Sequence, residues 1–161
     1  GCGSGALSIR AALSWPEAEV TGMDYWGAVY NYSQAMCESN AWSEGVSERC
    51  RFLHGDARKL DFPDETFDAV VSNYVYHNIN GSDKQALLLE SLRVLKKGGV
   101  FALNDNMKPH MYGNMEAFAE NLRKMGYQEV RIIDTAQEAF GSHRRAALMM
   151  LGDSRMLAGR K

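Results

Sequence analysis

A glycine-rich turn at the start of the chain constrains its fold most strongly. Glycine occupies positions 1, 3 and 5, Ala6 follows, and an apolar stretch over 19–24 ends at Asp24. Closely spaced glycines allow a tight turn and a close approach of the backbone to a ligand, and a following helix offers free N–H groups. An acidic side chain about 20 positions later can bind two ribose hydroxyls. The pattern therefore indicates a nucleotide-binding βαβ unit, and it also satisfies the fingerprint of dinucleotide-binding enzymes.

The rest of the chain alternates predicted helices with short apolar strands. The hydrophobic pattern predicts helices over 4–14, 27–43, 83–97, 114–125 and 137–151, and strands over 19–25, 51–54, 67–72, 100–104, 129–133 and 154–160. Strands separated by helices of this length are typical of a mostly parallel sheet with helices on both faces. We therefore predict an α/β fold, a Rossmann-like doubly wound sheet whose last strand is antiparallel.

The helix over 83–97 has the clearest predicted ends. Ser82 and Gln85 match a capping box, and the basic residues and glycines at 96–99 are typical of a helix C-terminus. The helix over 27–43 is predicted from a set of apolar and aromatic positions, namely Val29, Tyr32, Met36 and Trp42. The stretch over 106–115 is too irregular to assign.

Composition bounds the class of protein. With 161 residues, of which 45% are hydrophobic and 24% charged, the chain can form one packed core, and its composition does not indicate disorder. A net charge of −2 does not indicate a surface that binds a polyanion. Cysteines at 2, 37 and 50 have no metal-ligand spacing, and their odd number argues against a disulfide framework. We therefore expect no metal site, a reducing compartment and a cytoplasmic location. The apolar run over 146–151 is too short to span a bilayer.

Six motifs in order resemble those of the class I S-adenosylmethionine-dependent methyltransferases. They are GCGSG at 1–5, GMD at 22–24, GDA at 55–57, LDFPDETFD at 60–68, SNYVYHNI at 72–79 and LKKGG at 95–99. The order and spacing match those of the family, and the resemblance covers nearly the whole chain, weakening after about Met107. It implies a methyltransferase that uses S-adenosylmethionine and releases S-adenosylhomocysteine.

The glycine turn of such a domain follows a strand, and no residue precedes Gly1. That strand would lie at the centre of the sheet, and two neighbouring strands would need it as a hydrogen-bonding partner. We therefore expect an upstream strand, so that residues 1–161 form a single methyltransferase domain that is incomplete at its N-terminus.

The resemblance implies a set of cofactor contacts in this chain. Asp24 would accept hydrogen bonds from both ribose hydroxyls. Asp56 with Ala57 would read the adenine edge, and Asn73 would contact the methionine amino group. Trp26 fits adenine stacking and helix packing about equally well. The full set of implied cofactor residues is Gly1, Cys2, Gly3, Gly5, Asp24, Tyr25, Trp26, Asp56, Ala57, Asn73 and Tyr74.

Two residues are candidates for proton transfer. His77 lies just past the predicted strand over 67–72, and Asp105 lies at the end of the predicted strand over 100–104. Ligands in open α/β sheets bind at the carboxyl ends of the strands, which is where both residues are expected. A neutral imidazole at position 77 either takes a proton from an acceptor or hydrogen-bonds a loop. His54, Met111 and Tyr112 are weaker candidates.

The acceptor class is narrowed by what the sequence lacks. Amino-methylating DNA enzymes of this fold carry an Asn/Asp-Pro-Pro-aromatic signature, and none follows the fourth predicted strand here. No Pro-Cys pair offers the thiolate that is used on cytosine C5, and no stripe of basic residues offers contacts to a phosphate backbone. The amino-acid sequence of the 60–68 motif is similar to that of small-molecule methyltransferases, including those of quinone biosynthesis. We therefore expect a small-molecule acceptor and no nucleic acid. The alternatives are an NAD(P)-dependent oxidoreductase and a non-catalytic cofactor-binding domain.

Overall fold

The computed structural model describes residues 1–27 and 31–161. They form two compact units, Gly1–Asp61 and Phe62–Lys161, and each unit has its own sheet. The predicted single domain is not tested by this division and stays a prediction. Among the described residues, no helix has both the length and the apolar character that a bilayer crossing requires.

The first unit is a two-stranded parallel sheet with two helices. The elements are α1 (Ala6–Ser14), β1 (Val20–Asp24), α2 (Gln34–Ser43) and β2 (Cys50–His54). Strands β1 and β2 pair in parallel with Gly22 opposite Phe52. A Cβ atom at Gly22 would lie 2.8 Å from the Phe52 ring and from Ser8 Oγ, so the glycine permits close packing of α1 on the sheet. The buried core consists of Ile9, Ala12, Cys37, Ala41, Val46 and Phe52.

The second unit is a four-stranded mixed sheet. Its strands are β3 (Phe67–Asn73), β4 (Leu95–Asn106), β5 (Gln128–Ile133) and β6 (Ser154–Arg160), in the spatial order β3-β4-β6-β5. Strands β3 and β4 are parallel, and β6 runs antiparallel to both of its neighbours. The predicted α/β class and antiparallel last strand are therefore confirmed.

Five helices accompany this sheet. They are α3 (Lys84–Arg93), α4 (Pro109–Tyr112), α5 (Met115–Lys124), α6 (Thr135–Phe140) and α7 (His143–Leu148). Leucines of α3 and β4 and the apolar face of α5 share one buried cluster, which includes Leu88, Leu92, Leu103, Phe118 and Leu122. This cluster packs against β4, and the carboxyl end of β4 contains Asp105, one of the two candidates for proton transfer.

The predicted ends of the helix over 83–97 are wrong. Asp83, not Ser82, is the N-cap, because its Oδ1 accepts the N–H groups of Gln85 at 2.8 Å and Ala86 at 3.3 Å. The helix ends at Arg93, and residues 96–99 belong to β4. Gly98 there has a φ of 78° and marks a register shift against β3, so the glycine pair serves a strand irregularity instead of a helix stop.

Two other helix predictions differ from the structure. The helix over 137–151 is two helices, because Gly141 at a φ of 69° ends α6 and Ser142 caps α7. The helix over 27–43 begins only at Gln34, where the Ser33 hydroxyl accepts the Met36 N–H at 3.2 Å. Val29, which was part of that prediction, lies outside the described residues.

We expect Leu92→Ala to lower the free energy of unfolding by about 2–5 kcal/mol, because it removes a fully buried side chain and leaves a cavity. Leu148→Ala is the matched control. That leucine also lies on a helix of the second unit but is 85% exposed, so its loss is expected to change stability by no more than about 0.5 kcal/mol. Urea unfolding followed by circular dichroism measures both variants, and equal effects would contradict the described core.

Candidate functional site

The glycine turn adopts a conformation that needs glycine. Gly3 and Gly5 have φ values of 57° and 86°, in the left-handed region. A Cβ atom at Gly5 would also lie 3.1 Å from the Phe52 ring and 3.3 Å from Cys37 Cβ. Helix α1 starts directly after this turn with no side chain capping it, so the N–H groups of its first turn remain free for a ligand.

Asp24 is bonded directly to this turn. Its Oδ2 accepts the Gly3 N–H at 2.7 Å, and its Oδ1 accepts the Trp26 N–H at 2.8 Å. The Trp26 indole N–H donates back to the Gly3 carbonyl at 3.0 Å, and the backbone N–H of Cys2 donates to the Met23 carbonyl at 2.9 Å. The structure thus brings Gly3, Asp24 and Trp26 together around one half-buried carboxylate.

The two aromatic residues after Asp24 lie in different surroundings. Trp26 is half-buried against the core of the first unit, whereas Tyr25 is 60% exposed. The Tyr25 ring lies 5.2 Å from the His54 ring, measured between centroids. Tyr25 is therefore the aromatic side chain that is open to a ligand, and Trp26 supports the glycine turn through its indole N–H.

Asp56 is held by a neighbour in its own turn. Its carboxylate accepts the Arg58 backbone N–H at 2.8 Å and pairs with Arg58 Nη2 at 2.5 Å, while Ala57 is half-buried. The hydrogen bonds from the Arg58 side chain, and then the one from its backbone, hold the pKa of Asp56 below its ordinary value. Asp56 is therefore a charged acceptor next to an exposed guanidinium.

The second unit gathers polar side chains at the carboxyl ends of β3 and β4. Asn104 Nδ2 donates to Asn73 Oδ1 at 2.8 Å, and the hydroxyl of Thr135 donates to Asn104 Oδ1 at 2.8 Å. The Tyr74 hydroxyl lies 2.7 Å from Ser154 Oγ, which is itself 2.8 Å from the hydroxyl of Thr135. Asn73 and Tyr74 thus share one hydrogen-bonded network at this edge.

Sequence reasoning missed three members of this network. They are Asn104, Thr135 and Ser154, and Ser154 is completely buried. Asn104 is at the end of a strand next to Asp105, which is a signal that could have been used. The other two come from later parts of the chain. Ser154 starts β6, which pairs antiparallel with β4, and Thr135 follows β5, which pairs antiparallel with β6.

His77 and Asp105 form a direct pair. His77 Nδ1 lies against Asp105 Oδ1 in a short contact. Asp105 has no solvent exposure, and its Oδ2 accepts the N–H groups of Tyr76 at 2.7 Å and His77 at 3.3 Å. Asp105 Oδ1 also accepts the N–H of Asn106 at 2.6 Å. Two candidates that are 28 positions apart in the sequence therefore act as one unit.

No group of three or more potential metal ligands occurs among the described residues. The contacts described above are hydrogen bonds and ion pairs that involve carboxylates, amides and hydroxyls, together with the Trp26 indole, the Arg58 guanidinium and the His77 imidazole.

Residues 1–103 match the family model described as a methyltransferase domain. The chain belongs to this family. The match covers the glycine turn, Asp24, Asp56, Asn73 and His77 and ends two residues before Asp105.

Curated relatives of this methyltransferase domain act on different molecules. A sterol 24-C-methyltransferase from Gibberella zeae is 29% identical over 76% of this chain and 30% of its own length. The 27-O-demethylrifamycin SV methyltransferase of Amycolatopsis mediterranei is 29% identical over 91% of this chain and 51% of its own. A demethylmenaquinone methyltransferase from Listeria monocytogenes is 31% identical over 73% and 47%. The chain thus spans about a third to a half of the length of these relatives.

Solved structures share the fold of this methyltransferase domain. A geranyl diphosphate methyltransferase in complex with SAM superposes with a TM-score of 0.74 at 14% identity, over 99% of this chain and 75% of that one. The [4+2]-cyclase SpnF gives a TM-score of 0.68 at 21% identity, over 100% and 73%. At these identities the likeness establishes the fold alone.

We expect Arg58→Gln to raise the pKa of Asp56 towards its ordinary value, because the charged donors that favour the carboxylate are lost. The lowered pKa means that the pair stabilises the fold above the ordinary aspartate pKa and is lost as the pH falls through the lowered value. An NMR titration of the Asp56 carboxyl carbon measures this shift. Arg51→Gln, an exposed change on β2, is the control, and an Asp56 pKa equal to the wild-type value in Arg58→Gln would contradict the pairing.

Proposed function

We propose that this chain binds S-adenosylmethionine and transfers its methyl group to a small-molecule acceptor. The observation that carries the proposal is the bonded set of Gly3, Asp24 and Trp26 in a chain that belongs to the methyltransferase domain family. Methyltransferases with sterol, rifamycin and demethylmenaquinone substrates in their names support a small-molecule acceptor, as does the solved geranyl diphosphate methyltransferase with SAM.

The residues of the glycine turn fit this cofactor. An ionised carboxylate offers about four acceptor positions, and Asp24 uses two of them for backbone N–H groups. The remaining positions suit the two ribose hydroxyls. The left-handed conformation of Gly3 and Gly5 keeps the turn tight, and the uncapped start of α1 supplies further N–H donors.

The remaining cofactor contacts are proposed on the family pattern and on their local geometry. Tyr25 supplies an exposed ring for adenine, and Asp56 with Ala57 supplies a charged acceptor for the adenine edge. Gly1 and Cys2 extend the glycine turn along β1. The roles of Asn73 and Tyr74 are proposed on the family pattern alone, and both residues lie in the polar network of the second unit.

When bound, this cofactor supplies a sulfonium methyl group that is already activated for displacement by an acceptor. The protein then has to bind and align the acceptor and to exclude water. Alignment of this kind contributes about 7–11 kcal/mol to lowering a barrier. No protein nucleophile is required, so we assign no such role to the three free thiols Cys2, Cys37 and Cys50. Those thiols also support the proposed cytoplasmic location.

Two other functions share parts of this site. An NAD(P)-dependent oxidoreductase would use the same glycine turn and acidic residue. A non-catalytic or differently catalytic domain is compatible with the fold, because a [4+2]-cyclase has it too. Calorimetric titration with S-adenosylhomocysteine and with NAD distinguishes the cofactors, and we expect a response to the former only. Binding of NAD without binding of S-adenosylhomocysteine would overturn the proposal.

We expect Asp24→Asn to raise the dissociation constant of S-adenosylhomocysteine by about 10–100-fold, because hydrogen bonds to a charged group contribute about 1.5–3 kcal/mol. Isothermal calorimetry measures the constant, and circular dichroism verifies that the variant is folded.

Glu48→Gln is the matched control for this experiment. It removes one negative charge from an exposed position of the same unit and is expected to leave the dissociation constant within about twofold of wild type, since exposed substitutions have small effects. Equal constants for Asp24→Asn and wild type would show that the carboxylate does not bind the cofactor.

A further inference from the structure

The pairing of His77 with Asp105 defines which imidazole nitrogen carries a proton. Asp105 accepts three backbone N–H groups, from Tyr76, His77 and Asn106, with both of its oxygens. A carboxylate held by this many donors is ionised and can only accept. His77 Nδ1 therefore donates its hydrogen to Asp105 Oδ1, and whenever the ring is neutral its lone pair is on Nε2.

The other nitrogen is available to a ligand. Within residues 1–27 and 31–161, no hydrogen bond to His77 Nε2 is found, and 28% of the side chain is exposed. His77 follows β3 in a short 3₁₀ turn, at the carboxyl ends of the parallel strands β3 and β4. Ligands in open α/β sheets bind at these strand ends.

The groups around the pair add no second charge to it. The Tyr74 ring meets the His77 ring edge-on at 6.4 Å between centroids. Burial raises the pKa of Tyr76 and of Tyr112, and the charge of Asp105 adds to the effect at Tyr112, so both phenols remain neutral at physiological pH. Asp105 is thus the single ionised group that contacts the imidazole from β4, and no cation is found beside it among the described contacts.

We propose that the acceptor is a molecule with a hydroxyl group, that His77 Nε2 is the base that takes the hydroxyl proton, and that Asp105 is the positioning residue that fixes the imidazole. This inference rests on the proposed methyl transfer and names its substrate class. The acceptor oxygen forms a bond to the methyl carbon as the carbon–sulfur bond breaks and its electron pair stays on sulfur. The hydroxyl proton moves to His77 Nε2 and is later released to solvent.

A hydroxyl is the acceptor that gains most from such a base. A neutral alcohol or phenol is a weak nucleophile and is largely protonated at physiological pH, so removal of its proton during attack lowers the barrier. General-base catalysis of this kind contributes about 10²–10⁴-fold. A thiol ionises more readily, and an unprotonated amine attacks with its own lone pair, so neither needs an oriented imidazole to the same extent.

Nitrogen NMR tests the arrangement without cofactor or acceptor. Long-range ¹⁵N–¹H spectra of the whole chain are expected to show His77 with a protonated Nδ1 and an unprotonated Nε2 at neutral pH. In Asp105→Asn the side-chain oxygen is expected to stay on the side of the two backbone donors Tyr76 and His77, because the other side has only the Asn106 N–H, so that the amide NH₂ faces Nδ1 and the tautomer inverts. A wild-type ring protonated at Nε2 would overturn the proposal.

A matched aspartate serves as control. Asp134 pairs with His143 Nε2 at 2.8 Å in the same unit, so Asp134→Asn changes another histidine and is expected to leave the His77 resonances where they are. Because Asp105 is fully buried, Asp105→Asn can fail to fold. In that case the proposal is tested by the NMR tautomer of wild-type His77 and by the activity of the variant His77→Gln, whose side chain is partly exposed.

Transfer to simple probes tests the chemistry. His77→Gln is expected to lower kcat for 2-naphthol by about 10²–10⁴-fold and to affect 4-nitrophenol much less, because the latter is already partly ionised at neutral pH. The dissociation constant of S-adenosylhomocysteine is expected to stay within twofold of wild type. An equal loss on both probes, or methylation of 2-naphthylamine but of neither phenol, would overturn the proposal. If no probe is methylated, the proposal is tested by the NMR tautomer of wild-type His77 alone. Failure of wild-type protein to bind S-adenosylhomocysteine would instead overturn the proposed function.

Discussion

A buried negative charge governs the organisation of the second unit. Asp105 is completely removed from solvent, and a carboxylate in that position is stable only if hydrogen bonds replace its hydration. Three backbone N–H groups and the imidazole of His77 do this. The chain that leaves β3 therefore has to turn towards β4, because its N–H groups at 76 and 77 are needed there.

The surrounding core holds this arrangement in place. The ring of Tyr76 is buried, and its hydroxyl lies 2.9 Å from Ser91 Oγ on α3. Leu88 and Leu92 of the same helix pack in the large apolar cluster together with β4. The position of the imidazole thus depends on α3 and on the parallel pairing of β3 with β4, which is why a residue on a short 3₁₀ turn can be rigidly placed.

In the first unit, a carboxylate that accepts backbone N–H groups fixes the glycine turn. Its glycine turn is joined to the end of β1 by the Asp24 carboxylate, so the loop and its acidic residue form one bonded group.

Much of the fold was predictable from the sequence. The glycines, Asp24 and all six strands follow from local spacing, because tight turns and buried strands have strong residue preferences. The helix ends were less predictable. Asp83 and Ser82 are both good caps, and only the hydrogen bonds of the Asp83 carboxylate decided between them. Residues 96–99 suit a helix end as well as an irregular strand, and only the pairing of β4 with β3 decided their role.

The sequence by itself determined the α/β class, the glycine turn with its acidic partner and the positions of His77 and Asp105 at strand ends. These depend on hydrophobic period and on the conformational freedom of glycine, both of which are local properties. Only the tertiary structure decided that His77 and Asp105 are one pair, that Trp26 supports the turn while Tyr25 is exposed, and that Thr135 and Ser154 join the network of Asn73 and Tyr74. These contacts join residues that are far apart in the chain, and their partners are fixed by strand register and burial, which no local pattern encodes.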